Sequence, residues 1–429
     1  MEELELTPKA RFYRDIENYV LINNDIYRTE FANPDVLNPT ALTKTVFQQK
    51  FGFNQEDYLS LPEFDGYTNE PDHFNYLRDV NGKWNLYSRL NLEPVQGEWK
   101  TIEKLINHTY GKNAVENDQV EELYDYHTVL LKDPKQVQQA RILYSHTQGT
   151  SKSAFAALEQ AIFKSNYTKV RDSEISGDYN MIWIRSLIIH MDEPVFNYPV
   201  KAEKQFRDLV TTTTLNLRKM KTDHLPVPFY GKLLFTTNDS NFMPINAGDR
   251  RYWIREVPPI KEEDKDAGFL EKALSEIPAY LYYLLNERTM KYPTKMDITF
   301  WLPYEAISSS NAFKKMAEDS KDEYQTVTEG IIEKFFLSNP RVPEVQFTLK
   351  DIRQMAADEM SIRYDLTDQT LFIILLRDKL KCIQPDKNTR PKKTDRILGV
   401  EIDKKPGKWW TAYRENFNTE MAIFDTVGL

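Results

Sequence analysis

The sequence holds a single cysteine, Cys382, so no intrachain disulfide and no cysteine zinc cluster can form, which suits a reducing compartment. Histidine is also scarce. The six histidines are scattered and make no H-E-x-x-H pair, so any metal is expected to arrive with a nucleotide. No apolar run reaches the roughly 18 residues of a membrane helix, and the opening MEELELTPKARFYRDIENYV lacks an apolar signal-peptide core. A soluble protein without a membrane partner is expected. Excess positive charge is missing too: the formal net charge is -9 and the pI about 5.4. That excludes coating nucleic acid with the whole surface and leaves room for a local basic lining in a ring or channel.

What is present describes a folded chain: 41% hydrophobic, 28% charged and 13% aromatic residues exceed what disorder would carry. Its 429 residues supply more than one hydrophobic core. The expected division is an α+β accessory region over 1–115, a catalytic domain over 116–305, and a helical linker with a further domain over 306–429. In the first region, turn-rich NPDVLNP (33–39) and FDGYTNEP (64–71) separate apolar segments. WNLYSRL (84–90) predicts a short strand with Trp84, Leu86 and Ser88 on one face and Tyr87 on the other. Such aromatics belong to a core more often than to a base-stacking surface.

QVEELYDYHTVLLKDPKQ predicts a helix placing Val120, Leu123, Tyr124 and His127 on one face and ending before Pro134. ARILYSHTQGTSKSAFAALEQAIF (140–163) then reads as strand, small-residue turn and helix, the context a phosphate-binding loop needs. Against G-x-x-x-x-G-K-[ST], the residues run from His146 to Ser153, with His146 and Ser151 replacing the two outer glycines. Gly149, Thr150 and Ser151 would still present backbone to an anion, Lys152 reaches β and γ phosphates, and Ser153 offers a hydroxyl to magnesium. The substitutions forfeit the ease with which glycine adopts positive φ. Read alone, the segment is more readily a turn opening an ordinary helix.

Three later segments bear on that choice. MIWIRSLIIHMDEP (181–194) is an apolar strand delivering Asp192 and Glu193 at its end, the first suited to magnesium and the second to an attacking water. KLLFTTND (232–239) ends on Asn238, placed to hold the lytic water or merely to start a turn. NAGDRRYWIREV (246–257) sets Arg250 and Arg251 before an aromatic strand, where one guanidinium can enter a neighbouring subunit's site. A solvated surface pair is the plainer reading of those arginines.

In order, GTSKS (149–153), IIHMDE (188–193), LLFTTND (233–239) and GDRRYW (248–253) resemble the motifs of superfamily 3 helicases, especially the helicase portion of phage and plasmid primase-helicase proteins. The likeness spans roughly residues 60–305. It implies an α/β P-loop NTPase of the AAA+ kind using ATP and Mg2+. Lys152 and Ser153 would then be the Walker A contacts, Asp192 and Glu193 the Walker B pair, Asn238 the sensor, and Arg250 or Arg251 the finger. It further implies a viral protein in a host cytoplasm, and a hexameric ring on single-stranded or forked DNA supporting replication. A pore hairpin would lie between the acidic and sensor strands, with Arg218, Lys219, Lys221 and His224 as DNA contacts. Too few residues precede the motor for a primase domain, so priming is expected from a separate primase or polymerase. After the motor, FTLKDIRQMAADE (347–359) and KWWTAYRENF (408–417) resemble a winged-helix end, and residues 377–396 carry eight Lys or Arg against three Asp. The rival expectation is a degenerate P-loop subunit for assembly or DNA binding, its hydrolysis weakened or lost.

Overall fold

Apolar runs build the centre of a parallel sheet. Strands β1 (Ala140–Tyr144), β2 (Tyr167–Val170), β3 (Ile188–Asp192), β4 (Lys232–Thr237) and β5 (Tyr252–Glu256) lie in the order β5-β1-β4-β3-β2. Every pairing is parallel. All of β1 and β4 is buried, as expected of strands covered on both faces. Parallel strands share one carboxyl edge, and the register there sets Asp192 beside Thr236 and Thr237 beside Tyr144. The protein is thus a mixed α/β fold with a five-stranded parallel sheet and flanking helices.

The computed structural model describes residues 18–23, 25–29, 37, 42–51, 60–177, 179–195, 199–218, 225–239, 242–245, 248–360, 367, 369–384, 396–397, 400–401 and 408–417. The chain divides into two units, one of residues 1–195, 206–242 and 248–314, the other of residues 196–205, 243–247 and 315–429. No helix among the described residues is long and apolar enough to cross a membrane.

In the first unit, helices α1 (Lys100–Tyr110), α2 (Val120–Lys132), α3 (Lys152–Phe163), α4 (Phe269–Ser275) and α5 (Ile277–Tyr282) flank the sheet. Ile102 and Leu105 of α1, Leu123 of α2, Phe155 and Leu158 of α3 and Tyr280 of α5 join one core. Each such side chain contributes about 1.5–3 kcal/mol on burial. Helix α1 lies before residue 115 in sequence, yet it packs into the same core as the helix after the loop. Helix α2 ends at Lys132, and Val120, Leu123, Tyr124 and His127 are all buried. Pro278, lacking an N–H, sits in the first turn of α5, where no intrahelical donor is needed, and α4 ends just before it.

A buried polar cluster ties these elements together. Arg141 of β1 makes an ion pair with Glu159 of α3, both fully buried, and donates to Glu159 Oε2 at 2.8 Å. His127 of α2 donates from Nε2 to Glu159 Oε1 at 2.8 Å and accepts at Nδ1 from the Tyr280 hydroxyl at 2.7 Å. Burial alone would raise the Glu159 carboxyl, but Arg141 and His127 outweigh it and hold the group at about 2. Glu276 accepts from the amides of Thr101 and Ile102 at 2.8 and 3.0 Å, satisfying donors at the start of α1.

Nearer the amino terminus, the strand predicted over 84–90 is confined to Lys83–Asn85. Trp84, Leu86, Tyr87 and Ser88 are all buried, so the expected two-faced alternation is absent and Trp84 is a core residue.

The second unit takes up helix Asn311–Ser338 from Lys315 onward, and strand Glu344–Thr348, helices Leu349–Glu359 and Gln369–Ile374, and strand Trp409–Tyr413 follow in order. The two strands pair antiparallel with Phe347 opposite Trp410. Trp409 and Trp410 are buried. Thr348 caps the helix after it through a reciprocal pair of bonds with Asp351. Residues 385–395 of the basic segment lie outside the described residues.

Candidate functional site

The chain leaves β1 at Ser145, whose amide donates to Thr237 O at 3.1 Å. Gly149 (φ 73°) and Ser151 (φ 69°) are both left-handed, and Ser151 is the residue from which α3 departs. Serine therefore holds, at the second glycine position of the ideal loop, a conformation costing an L-residue about 1–2 kcal/mol. His146, at the first glycine position, does not have positive φ. The expected loss of backbone freedom thus falls on Ser151 alone. The Ile260 amide donates to Gly149 O at 3.1 Å and ties the loop to the segment after β5. Ser151 Oγ is buried with no partner among the described residues.

Lys152 opens α3 and is buried, while Ser153 beside it is exposed. The Lys152 ammonium donates to Ser145 Oγ, to Thr150 Oγ1 at 3.4 Å and to Asn238 Oδ1 at 2.8 Å. Burial pushes the ammonium below its usual range, against the opposing pull of Glu193 and Asp192.

At the end of β3, Glu193 takes a left-handed turn (φ 48°) and its amide donates to Thr236 O at 2.7 Å. That turn aims its carboxylate at Asn238. Asn238 donates from Nδ2 to Glu193 Oε1 at 2.6 Å and from its backbone amide to Oε2 at 3.0 Å. Asn238 thereby touches Lys152 with its oxygen and Glu193 with its nitrogen.

Asp192 sits at the end of a buried chain of bonds. Its Oδ1 accepts from the Thr236 hydroxyl at 2.6 Å. With its proton so committed, Thr236 accepts from His190 Nε2 at 2.8 Å, and His190 Nδ1 accepts from the Tyr167 hydroxyl at 2.7 Å. Burial pushes His190 down to about 4, so this ring is neutral. Asp192 Oδ2 pairs with Lys169 at 2.7 Å. Burial opposes ionisation of Asp192, but the bonds from Lys169 and Thr236 prevail and its carboxyl lies below the usual range.

Bonds thus join Thr150, Lys152, Asn238 and Glu193, while Gly149, Ser151 and Ser153 flank them along the loop and Asp192 immediately precedes Glu193. Arg250 and Arg251 precede β5 and lie at the opposite edge of their own sheet, where Arg251 O accepts from the Ala140 amide. Arg250 pairs with Asp297 at 2.8 Å, and Arg251 with Asp249 at 3.2 Å. Between β3 and β4 the strands Thr214–Leu217 and Leu225–Pro228 form an antiparallel ribbon. Arg218 follows the first of them, with its amide donating to Asn180 Oδ1 at 2.7 Å. Lys219, Lys221 and His224 lie outside the described residues. Sequence reasoning passed over Ser145, Lys169, His190 and Thr236. Their one local signal is small polar or titratable residues interrupting otherwise apolar strands. Among the described residues no group of three or more His, Cys, Asp or Glu is placed to hold a metal.

A family model described as a family of unknown function (DUF5906) matches residues 143–251, a segment containing all of these loop, acidic and arginine positions. No curated protein matches the chain. Among solved structures, an apo structure of the NrS-1 C terminal region (305-718) aligns with TM-score 0.55 and 14% identity, covering 89% of this chain and 88% of that one. An A form apo structure of the same region aligns with TM-score 0.55 and 12% identity, covering 95% and 99%. The chain shares the fold of the NrS-1 C terminal region. The likeness extends over nearly the whole of both chains.

Proposed function

We propose that the chain is an ATP-driven nucleic-acid motor of the superfamily 3 helicase kind, acting as a homo-hexameric ring on single-stranded or forked DNA. The observation that carries this reading is Asn238, bonded to both Lys152 and Glu193 at the carboxyl edge of a parallel sheet. A strand inserted between the loop strand and the acidic strand lies between Lys152 and Glu193 and leads into Asn238, which supports reading Asn238 as a sensor.

The donor set fits a magnesium nucleotide. Lys152 presents a cation at the helix start, the amides of α3 open beside it, and Ser151 Oγ awaits a partner. When bound, magnesium ATP supplies the phosphoanhydride whose cleavage drives movement. Lys152 would neutralise phosphate charge, and Ser153 and Asp192 would hold the metal. Glu193 orients the attacking water and accepts its proton, with Asn238 fixing the carboxylate.

Arg250 and Arg251 are separated from their own loop by the length of β5, about 16 Å at roughly 3.3 Å per residue. They serve a neighbouring subunit's site, where a planar guanidinium engages phosphate oxygens as charge develops. Helix, strand, two helices and returning strand in the second unit support a winged-helix reading, with residues 377–396 as its DNA contact.

A second reading, nucleotide binding with hydrolysis lost, is favoured by the Lys169–Asp192 ion pair, which occupies an oxygen wanted by the metal. Magnesium-dependent ATP turnover with and without single-stranded DNA separates the two. Turnover that rises with DNA supports the motor, and none under either condition supports the second reading. Full-rate turnover by an isolated monomer contradicts the arginines' role between subunits.

A further inference from the structure

A turn over residues 296–301 displays two apolar side chains, Ile298 and Met296, which are 86% and 51% exposed. Ile298 is the most exposed large apolar side chain among the described residues. The turn that carries it is firmly held. The amides of Met296 and Asp297 donate to Trp301 O and Phe300 O at 3.0 and 3.2 Å, and Asp297 Oδ1 accepts from the amides of Thr299 and Phe300 at 2.8 and 3.3 Å. Gln136 donates to Thr299 O at 2.9 Å, Trp301 Nε1 donates to Tyr292 O at 2.9 Å, and Phe300 is buried. Turn tips favour glycine, asparagine, aspartate and serine, so a rigid turn that holds a β-branched apolar residue in water breaks a local preference without local gain. Contact with a partner surface supplies that gain.

The same turn holds Arg250. Asp297 Oδ2 accepts from the Arg250 guanidinium at 2.8 Å while Oδ1 binds the amides of the turn, so one carboxylate fixes the arginine beside Met296 and Ile298. Burial opposes the charge on Asp297, but the amides and Arg250 prevail and hold its carboxyl below the usual range. Arg250 stays half-exposed, and the length of β5 separates it from the phosphate loop of its own subunit. Complementary charge lies at the carboxyl edge of the sheet, where Asp192 and Glu193 are exposed. A cationic surface at one end of a sheet meets an acidic surface at the other end only across two copies, which is the head-to-tail contact that closes rings.

We propose that Met296 and Ile298 anchor one subunit on the next, the occupant of this surface being a second copy of this chain seated by the edge that carries its Asp192 and Glu193. The inference rests on the ring reading above. Arg250 contributes an attraction that salt screens, whereas the apolar pair contributes contact that salt does not weaken. Because Asp297 carries Arg250 on the docking turn, seating Ile298 brings the guanidinium to the neighbouring edge.

The test is sedimentation velocity of the full chain with magnesium ATP and a single-stranded oligonucleotide, over a range of protein concentrations. Ile298→Glu is expected to weaken self-association about tenfold or more, since docking would bury its charge. Ile298→Leu, apolar and of similar volume, should assemble as the unaltered chain does. Both variants should keep the urea midpoint of the unaltered chain at low protein concentration, because the side chain is exposed. A midpoint lowered by Ile298→Glu would place Ile298 in the packing of its own subunit and overturn the docking role. Mixing Ile298→Glu with Lys152→Ala should restore turnover that each lacks alone, as the intact turn of one then meets the intact loop of the other. No recovery overturns the head-to-tail seating. Equal self-association of Ile298→Glu and the unaltered chain overturns the docking turn while leaving the ring intact. An unaltered chain that stays monomeric at every concentration overturns the ring reading and the docking turn with it.

Discussion

Asn238 Nδ2 donates to Glu193 Oε1 at 2.6 Å, closing a contact between residues 45 positions apart in the chain. The bond exists because β3 and β4 are adjacent and in register, and because Glu193 turns back with positive φ. In the proposed motor, a residue that both bonds the Glu193 carboxylate and touches Lys152 has a specific phenotype. Asn238→Ala should lower ATP turnover about a hundredfold while nucleotide affinity changes far less. Paired turnover and binding measurements check this, and an equal loss in both would place Asn238 in ground-state binding alone.

Thr236 transmits the orientation of His190 to Asp192. Thr236→Val keeps the shape of the side chain but leaves an acceptor on Asp192 and a donor on His190 unpaired. The magnesium affinity of nucleotide binding should fall about tenfold, and stability by about 1–3 kcal/mol. Thr236→Ser restores the hydroxyl and should recover the magnesium dependence. A magnesium midpoint unmoved by Thr236→Val would remove this residue from the account.

Ser151 holds a backbone conformation that glycine adopts freely. Ser151→Gly trades strain of about 1–2 kcal/mol against the roughly 0.5–1 kcal/mol of backbone entropy that glycine loses, for a gain of about 0.5–1 kcal/mol. Ser151→Val, β-branched and poorly tolerated at positive φ, should destabilise the chain. Urea midpoints should therefore rank Gly above Ser above Val. A midpoint for the glycine variant below that of the unaltered chain contradicts the loop geometry.

Much of the candidate site was legible because the segments that form it are local. The apolar strand, the turn with Lys152 and the helix after it are contiguous, and Asp192, Glu193 and Asn238 each stand at the end of an apolar run. Ser145, Lys169, His190 and Thr236 were not legible, since their roles arise from register between strands distant in sequence. The periodicity of α1 marks a helix, yet nothing in it says that Ile102 and Leu105 pack against α3. The WNLYSRL strand fell short for a related reason, as burial on both sides erases the alternation that its sequence suggested.

Buried titratable groups shape the acid response. Burial lowers His73 and His190 from the usual 6.5 to about 4 in the folded chain. The unfolded chain therefore binds more protons in that window, and stability present above about 6.5 is lost as pH falls toward 4. Glu159, held at about 2 against its ordinary 4.5, adds a further loss below 4.5. Denaturation midpoints should decline on acidification through this range. His190→Gln should flatten the upper part of the decline, and an unchanged profile would mean that His190 titrates normally in the fold.

The most direct measurement concerns Glu193, in a single preparation assayed for both ATP binding and ATP hydrolysis. Glu193→Gln preserves size and removes charge and basicity. The account predicts that the variant binds magnesium ATP with affinity close to that of the unaltered chain, and that its DNA-stimulated turnover falls by a factor on the order of 10²–10⁴. Turnover equal to that of the unaltered chain, in preparations free of contaminating ATPase, would place the catalytic carboxylate elsewhere and contradict the motor reading of this edge of the sheet.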